Sequence, residues 1–511
     1  MSPVEDFLCL HTPKLFFCRI RAFSAIGCGA GYLESPHLDG VSHGMSSPVK
    51  KQPNLDSVTT INRDGSHFFL QPADVKGKWT TARRIFGVLL IAIYVALPWI
   101  PINGSPALFF DVEHRQFHVF GLTLVPQDLW VMFFGVTGLG FTLFFVTSLL
   151  GRLWCGWACP YTVFLDHVFR RIERWTEGDS IARKKLAGSS WTPGKVARRV
   201  TKHSLYLLSS ALIAHVFLSY FVSIPRLYGY MKEGPLANAS AFAIVAFLTL
   251  VLWFCFGWFR EQFCIIMCPY GRLQSALTDD DTVSIGYDET RGEPRGAKGK
   301  ATGDCIDCKR CVSVCPTGID IRNGLQLECI GCAACIDACD DIMTKVGRPK
   351  GLVRYDSLNG LTGKKRRILR PRVIAYTLLG LLGLGAFAVA GWRNAKPYTA
   401  DFSRMRGQPF YSDASAVRNH YQVRVHNKRN QPAQFTVNLS DAPDGYTLSG
   451  AAAVIKVPAL GEITRPAIVV APTSFYTGAT NLTIEVHADP GDVVIRHEMR
   501  FLGPDPSSFN N

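Results

Sequence analysis

Eight cysteines fall in two tandem runs between Cys305 and Cys339, and they constrain the chain more tightly than any other feature. The first run reads Cys305-x-x-Cys308-x-x-Cys311-x-x-x-Cys315-Pro316, and the second reads Cys329-x-x-Cys332-x-x-Cys335-x-x-x-Cys339. Thiolates at i, i+3 and i+6 can each take one corner of an iron–sulfur cube, while the fourth points away and closes the cube held by the other run. The spacing therefore assigns Cys305, Cys308, Cys311 and Cys339 to one 4Fe–4S cluster. Cys329, Cys332, Cys335 and Cys315 fall to a second. A pair of zinc sites is the alternative, but zinc takes Cys-x-x-Cys pairs that are usually split by a longer gap, which neither run has. The second run ends in Cys339-Asp340 rather than Cys-Pro, a departure that removes no ligand.

The rest of the chain is built around membrane-length apolar blocks. Of 511 residues, 48% are hydrophobic, and they are clustered. A bilayer crossing takes about 20 mostly apolar residues. Five stretches qualify: Ile85–Ile102, Leu129–Leu150, Leu205–Ile224, Ala241–Phe259 and Val373–Trp392. A net charge of +15 would admit nucleic acid or a membrane surface as partner. Its placement argues for the membrane and against nucleic acid. The loop 103–128 has only Arg115, and 225–240 only Arg226 and Lys232, whereas 151–204 and 260–372 are rich in Lys and Arg. By the positive-inside rule the basic segments are cytoplasmic. An odd number of spans then leaves 393–511 on the periplasmic side of a bacterial inner membrane. Sixteen cysteines could mean disulfides, but half lie in runs that need reduced thiolates, so their compartment is reducing.

The expected architecture is a multi-domain membrane protein. An α-helical bundle of five transmembrane helices carries an inserted ferredoxin-like domain with two 4Fe–4S clusters and a C-terminal immunoglobulin-like β-sandwich. Residues 1–84 form a cytoplasmic segment, of which 1–44 is a disordered or non-native leader, with the true start at Met45. Cys9, Cys18 and Cys28 in that leader have no metal-like spacing. Residues 85–259 hold four spans and the cytoplasmic loop 151–204; 260–372 hold the ferredoxin domain at about 290–350; 373–392 form the fifth span. Residues 393–511 alternate apolar and polar side chains at Tyr421–Val425, Phe435–Leu439, Leu482–Val486, Val454–Val457 and Val493–Phe501, with turn residues between them. That pattern predicts short strands of a sandwich with no chemistry of its own.

A second cysteine pattern is written twice. Trp154-Cys155-Gly-Trp-Ala-Cys159-Pro160-Tyr161 follows the second span, and Phe263-Cys264-Ile-Ile-Met-Cys268-Pro269-Tyr270 follows the fourth. The repeated order reads as an internal duplication, with both motifs at the cytoplasmic face. Cys-x-x-x-Cys on a helix puts two thiols on one face, one turn apart. Four such thiolates would suit a soft ion such as Cu(I); buried small residues at a helix contact are the plainer alternative. Four further residues receive expectations: Cys255 packs in the core, His215 makes an interhelical hydrogen bond or serves a metal or quinone, and Asp166 and His167 face the cytoplasm with a proton-handling role open to them.

With these motifs placed, the chain resembles the FixG/RdxA/CcoG family, accessory proteins of cbb3-type cytochrome c oxidase. The stretches that carry the likeness are Cys155-Gly-Trp-Ala-Cys159-Pro160-Tyr161, Arg260–Arg272, Cys315–Arg322 and Glu328–Cys332, with the Cys339-Asp340 ending. The resemblance covers about residues 60–511. It implies a membrane-bound oxidoreductase that reduces Cu(II) to Cu(I), with copper bound or reduced at Cys155, Cys159, Cys264 and Cys268 and electrons carried by the eight ferredoxin cysteines. Implied partners are oxidase assembly factors and copper transporters, an unidentified cytoplasmic electron donor, and a second copy in a homodimer. The paired motifs also resemble quinol dehydrogenase subunits that feed nitrate and nitrous oxide reductases, and a non-enzymatic assembly scaffold is a third reading.

Overall fold

The computed structural model describes residues 69–509 other than 114, 297–302, 395 and 452. The expected leader, Met45 and the three cysteines before it lie outside the described residues. Long helices dominate the first part of the described chain: α1 (Lys78–Ala96), α2 (Leu129–Leu150), α3 (Pro193–Leu218), α4 (Ala239–Phe254) and α5 (Pro371–Asn394). Among the described residues, four segments are long and apolar enough to cross a membrane: Lys78–Trp99, Leu129–Leu150, Ala239–Phe259 and Pro371–Arg393. Their large side chains stay exposed, Leu89, Phe133, Phe247 and Leu382 among them. Such a continuous apolar surface needs a non-aqueous partner.

The expected third span differs. Its helix starts at Pro193, where Thr192 caps Lys195 N and proline needs no donor, and ends at Leu218 rather than Ile224. The first half carries Lys195, Arg198, Arg199 and Lys202, so the apolar part from Leu205 is short for a ~30 Å hydrocarbon core. Just past α3 the Tyr220 carbonyl accepts from Phe110 N at 2.7 Å, and the Ile100 carbonyl accepts from Ala107 N at 2.8 Å. Leu124, Val131 and Ala390 form a small buried cluster at the end of α5. Midway along α3, Tyr206 donates to Glu173, which also receives Arg260, each at 2.8 Å. The first span also stops early: Pro98 sits in a 3₁₀ turn, and Pro101–Ile102 is a strand that begins a small outer sheet region. Helices α2 and α5 touch through their backbones, since a Cβ on Gly138 would lie 2.6 Å from Leu384 N. Small residues permit this closest form of helix contact in an apolar medium.

The C-terminal region is a sandwich of two antiparallel sheets. One orders Thr447–Ser449, Glu462–Pro472, Ala416–Asn427 and Tyr398–Arg404, with Tyr411–Ser412 also pairing with Ala416–Asn427. The other orders Ile455–Val457, Ala433–Leu439, Thr480–Asp489 and Val493–Phe501. Alternate residues Val417, Tyr421, Val423 and Val425 face Phe435, Val437, Leu482, Ile484 and Val486 in one core. The strands expected from alternation all form. Glu462–Pro472 escapes that pattern because Pro466 and Pro472 interrupt it, and prolines argue against a central strand. The sandwich docks on the outer end of the helices through a buried Lys428–Asp128 pair at 2.8 Å and a Gln116-to-Leu460 carbonyl bond at 2.7 Å.

Candidate iron–sulfur centre and thiol face

Short helices present the tandem cysteines. Cys311 lies in Arg310–Ser313, and Cys335 and Cys339 lie in Ala334–Lys345. Each helix is preceded by a residue at positive φ, Lys309 at 53° and Ala333 at 62°. Those turns fold the chain back so that the thiols converge. Cys339 feels the charge of Cys311, Cys305 and Cys308, while Cys335 feels that of Cys332, Cys329 and Cys315 and then of Cys311. The grouping follows the two expected crossed sets, with the sets near enough to act on each other. Burial, to which neighbouring thiols add, pushes the Cys311, Cys329 and Cys339 thiols up to about 12 and Cys332 to about 11. Desolvated thiolates in this density need a cationic group between them.

A small cavity lies among Cys311, Cys315, Cys329, Cys332 and Cys335, walled by Ile285, Ile319, Ile321 and Ile330. An apolar cradle with four soft donors fits a 4Fe–4S cluster. Cys308 is exposed, so the first set reaches the surface.

The two Cys-x-x-x-Cys motifs have matching backbones. Gly151 and Arg260, each four residues before its first cysteine, take φ 55°, ψ −126° and φ 50°, ψ −127°. Glycine adopts that left-handed region easily and arginine does not. Arg260 is held there by Glu173 at 2.8 Å and by Tyr161, which donates to the Arg260 carbonyl at 2.6 Å. Cys155 sits in the helix Leu153–Trp157, and Cys264 in a π-helical turn Phe263–Met267. The expectation of two thiols one turn apart on a single helix face fails for both pairs. Cys159 and Cys268 are extended, with ψ 123° and 110°, and begin the next helix at Pro160 and Pro269. A residue before proline is pushed out of the α region. The motif tyrosines cross over: Tyr161 bonds the Cys255 and Arg260 carbonyls, and Tyr270 bonds Thr147 at 2.5 Å.

That exchange brings the pairs together. The Cys264 thiol is raised by burial first and then by Cys159, Cys155 and Cys268. Burial also raises Cys155, opposed by Arg152, and its thiol donates to Gln274 Oε1 at 3.5 Å, which in turn accepts from Arg152 Nε at 2.7 Å. Whether the four thiols meet could not be read from spacing; here Cys264 feels the charge of Cys159, Cys155 and Cys268, while no three His, Cys, Asp or Glu side chains among the described residues are grouped closely enough to hold a metal ion.

The first pair also packs directly on the second set of ferredoxin cysteines. Cys155, Ile330 and Cys332 form one buried cluster. Gly156 makes this possible: a Cβ there would lie 3.0 Å from Cys332 N and nearer still to the Ile330 carbonyl. Trp157 Nε1 donates to Tyr355 at 3.2 Å, and Tyr355 donates to the Gly331 carbonyl at 2.6 Å. Nothing in the linear spacing signals this contact, because Gly156 and Gly331 lie far apart in sequence.

The remaining expectations divide. Cys255 is half-buried at the start of a π-helical turn, where its carbonyl accepts from Tyr161 and Arg260 N. His215 does not bond another helix; Nδ1 lies 2.7 Å from the Ala211 carbonyl one turn back in α3. Asp166 does not face the cytoplasm as a free carboxylate. Burial would raise its pKa, but Arg83 and Arg170 hold it well below the usual range. The sequence reading missed Arg152, Glu173, Gln274 and Tyr355, which order the site and lie outside its cysteine pattern.

Residues 259–358 match the 4Fe-4S dicluster domain family, residues 131–185 match a 4Fe-4S binding domain family, and residues 388–504 match the IG-like fold at the C-terminal of FixG. Protein RdxA of Cereibacter sphaeroides is 37% identical over 385 residues, 71% of this chain and 80% of that protein. Protein RdxB of the same organism is 37% identical over 431 residues, 78% and 88% of the two chains. The nitrogen fixation protein FixG of Rhizobium meliloti is 38% identical over 304 residues, 56% of this chain and 57% of FixG. With its dicluster segment, its apolar helices and its C-terminal sandwich, the chain belongs to the FixG/RdxA/CcoG family of iron–sulfur electron-transfer proteins.

Proposed function

We propose that the chain is a five-span inner-membrane cupric reductase that passes single electrons from cytoplasmic clusters to Cu(II) at the thiol site. The observation that carries this reading is the packing of Cys155 on Ile330 and Cys332 across Gly156. The 4Fe–4S clusters that the eight tandem cysteines would hold supply one-electron transfer when bound. Cys308, at the surface, is where a cytoplasmic donor would approach. Cys155, Cys159, Cys264 and Cys268 offer soft donors that favour Cu(I) over Cu(II). Arg152 and Gln274 fix the Cys155 sulfur beside the cluster loop. Reducing one Cu(II) to Cu(I) takes one electron, which matches the one-electron transfer that clusters held by the tandem cysteines would supply, with no further reactant. The basic loops support a cytoplasmic site and a periplasmic sandwich, and the apolar second half of α3 supports a fifth crossing. Copper so reduced would supply assembly of a cbb3-type oxidase.

The test is anaerobic Cu(II) reduction by purified, chemically reduced protein, read with a Cu(I)-specific chelator. Wild type is compared with a Cys155→Ser/Cys159→Ser/Cys264→Ser/Cys268→Ser variant whose clusters are intact by visible absorbance. Loss of rapid reduction in the variant supports the reading; equal rates overturn it. A second reading has one specific support. Residues 131–185 match a 4Fe-4S binding domain family although the only cysteines there are Cys155 and Cys159. With Cys264 and Cys268 they make a complete set for a third cluster. Iron lost in the same variant, relative to wild type, favours that reading over copper.

A further inference from the structure

A basic cleft borders the second cysteine set at Pro316 and Ala334. It offers about 120 Å³ of space open to solvent, and six arginines and two aspartates line it. Most of that charge is paired. Arg83 and Arg170 share Asp166, Arg174 meets Asp74, and Arg183 meets Glu173 behind the wall. Two arginines remain. Arg84 and Arg171 form no salt bridge among the described residues; Asp166, already shared by Arg83 and Arg170, is near Arg171, and the two arginines repel each other. Burial lowers the Arg171 pKa, and the neighbouring Arg84 charge lowers it again. His167 stands between them as a further polar group, its Nδ1 buried without a hydrogen-bond partner.

Arg84 is exposed and Arg171 half-buried, and two like charges held this close favour an anion between them. Arginine binds a phosphate through two parallel N–H···O bonds, which a chloride or a single carboxylate oxygen cannot use fully. The position adds a second argument. Arg84 lies in the first turns of α1, at the basic end of a membrane-length helix, and Pro316 and Ala334 form the far wall. Those two residues directly follow Cys315 and precede Cys335. An anion here would sit beside the second cysteine set and at the level where lipid headgroups or soluble cofactors both have access.

We propose that this cleft is a phosphate-binding site, with Arg84 and Arg171 as its principal ligands and His167 as a third polar contact. The recognised group is a phosphate ester, carried either by an anionic lipid headgroup or by a soluble nucleotide. It is distinct from the thiol site and independent of whether copper is the substrate there.

The experiment uses the full chain in neutral detergent with its clusters in place. Three probes are titrated separately: inorganic phosphate, NADPH, and short-chain phosphatidylglycerol. Wild type is compared with Arg84→Gln/Arg171→Gln. Neither arginine forms a salt bridge among the described residues, so their removal leaves no described carboxylate unpaired. Thermal unfolding of each protein checks that the fold is kept, and an Arg84→Lys/Arg171→Lys variant retains the charge while losing the two-pronged geometry. The expected result is saturable binding of at least one probe, at least tenfold weaker in the Gln variant and intermediate in the Lys variant. Binding of phosphatidylglycerol alone assigns the site to a lipid headgroup; binding of NADPH or inorganic phosphate assigns it to a soluble phosphate compound. If no probe saturates, or all bind the Gln variant as tightly as wild type, the proposal falls. Should the Gln variant unfold, the Lys variant decides: affinity unchanged from wild type for every probe overturns the arginine geometry.

Discussion

The two Cys-x-x-x-Cys-Pro-Tyr copies share a backbone and differ in what they touch. Both follow a left-handed residue, both end in an extended cysteine, and each lends its tyrosine to the other's helix end. In the first copy the residue after Cys155 is Gly156, and the ferredoxin loop closes on it. In the second copy Ile265 takes that place, and Met267 is 62% exposed. The first copy therefore packs on the second cysteine set, while the second carries an exposed methionine between its two cysteines. A symmetric scaffold acquires a direction through the identity of one small residue.

The strongest way to break the comparison is to cut the link that joins the copies. Glu173 receives Arg183 from its own half and Arg260 from the other, each at 2.8 Å. Removing one partner of a buried charge set costs ~3–5 kcal/mol. Glu173→Gln is expected to lose about that much in thermal or denaturant unfolding and to loosen both copies together. The pH dependence follows. Burial opposes ionisation of Glu173, but Arg260 and Arg183 outweigh it, so folding lowers its pKa. A depressed carboxylate contributes stability that is fully present above its unfolded pKa, ~4.3, and is lost as pH falls through the folded value. Wild type should therefore lose stability in acid below that point, and Glu173→Gln should lack that part of the slope. An unchanged slope would mean that the charge set does not join the halves.

Gly156→Val tests the direction itself. Its Cβ would meet the backbone of Ile330 and Cys332, where little can move aside. Copper reduction should fall at least tenfold while cluster absorbance stays. Ile265→Val at the matching position should leave the rate within twofold. Equal losses from both would show that the copies work alike and would remove the asymmetry.

The tyrosines come next. Tyr161→Phe frees two carbonyls and Tyr270→Phe one hydroxyl partner, and a net hydrogen bond is worth ~0.5–1.5 kcal/mol. The first variant should be the less stable of the two on unfolding. The smallest effect belongs to Met267→Ala, expected within ~0.5 kcal/mol because surface substitutions away from special features rarely do more. A larger loss there would reveal a partner covering the second copy.

Much of this molecule was legible along the chain. Cysteine spacing identified both crossed sets, since three ligands per run are local and a short loop can only present them one way. Apolar runs located the helices, although α3 began earlier and ended sooner than its apolar stretch, because its basic first half folds as one helix with the rest. Alternation found five strands and missed four: Tyr398–Arg404, Tyr411–Ser412 and Thr447–Ser449, and Glu462–Pro472, where a proline breaks the pattern. The partners of Asp166 were not legible because packing sets them, and Arg83 is remote in sequence from the carboxylate it holds; His215 instead turns to a carbonyl of its own helix.

The sequence by itself marked the iron–sulfur segment, the repeated Cys-x-x-x-Cys-Pro-Tyr pattern and the C-terminal sandwich, because each rests on residues a few positions apart. Only the tertiary structure decided that the two thiol pairs come near enough to act on each other, and that the first docks on the Cys332 loop. Those contacts join residues more than a hundred positions apart, and they depend on the space left by one missing Cβ at Gly156.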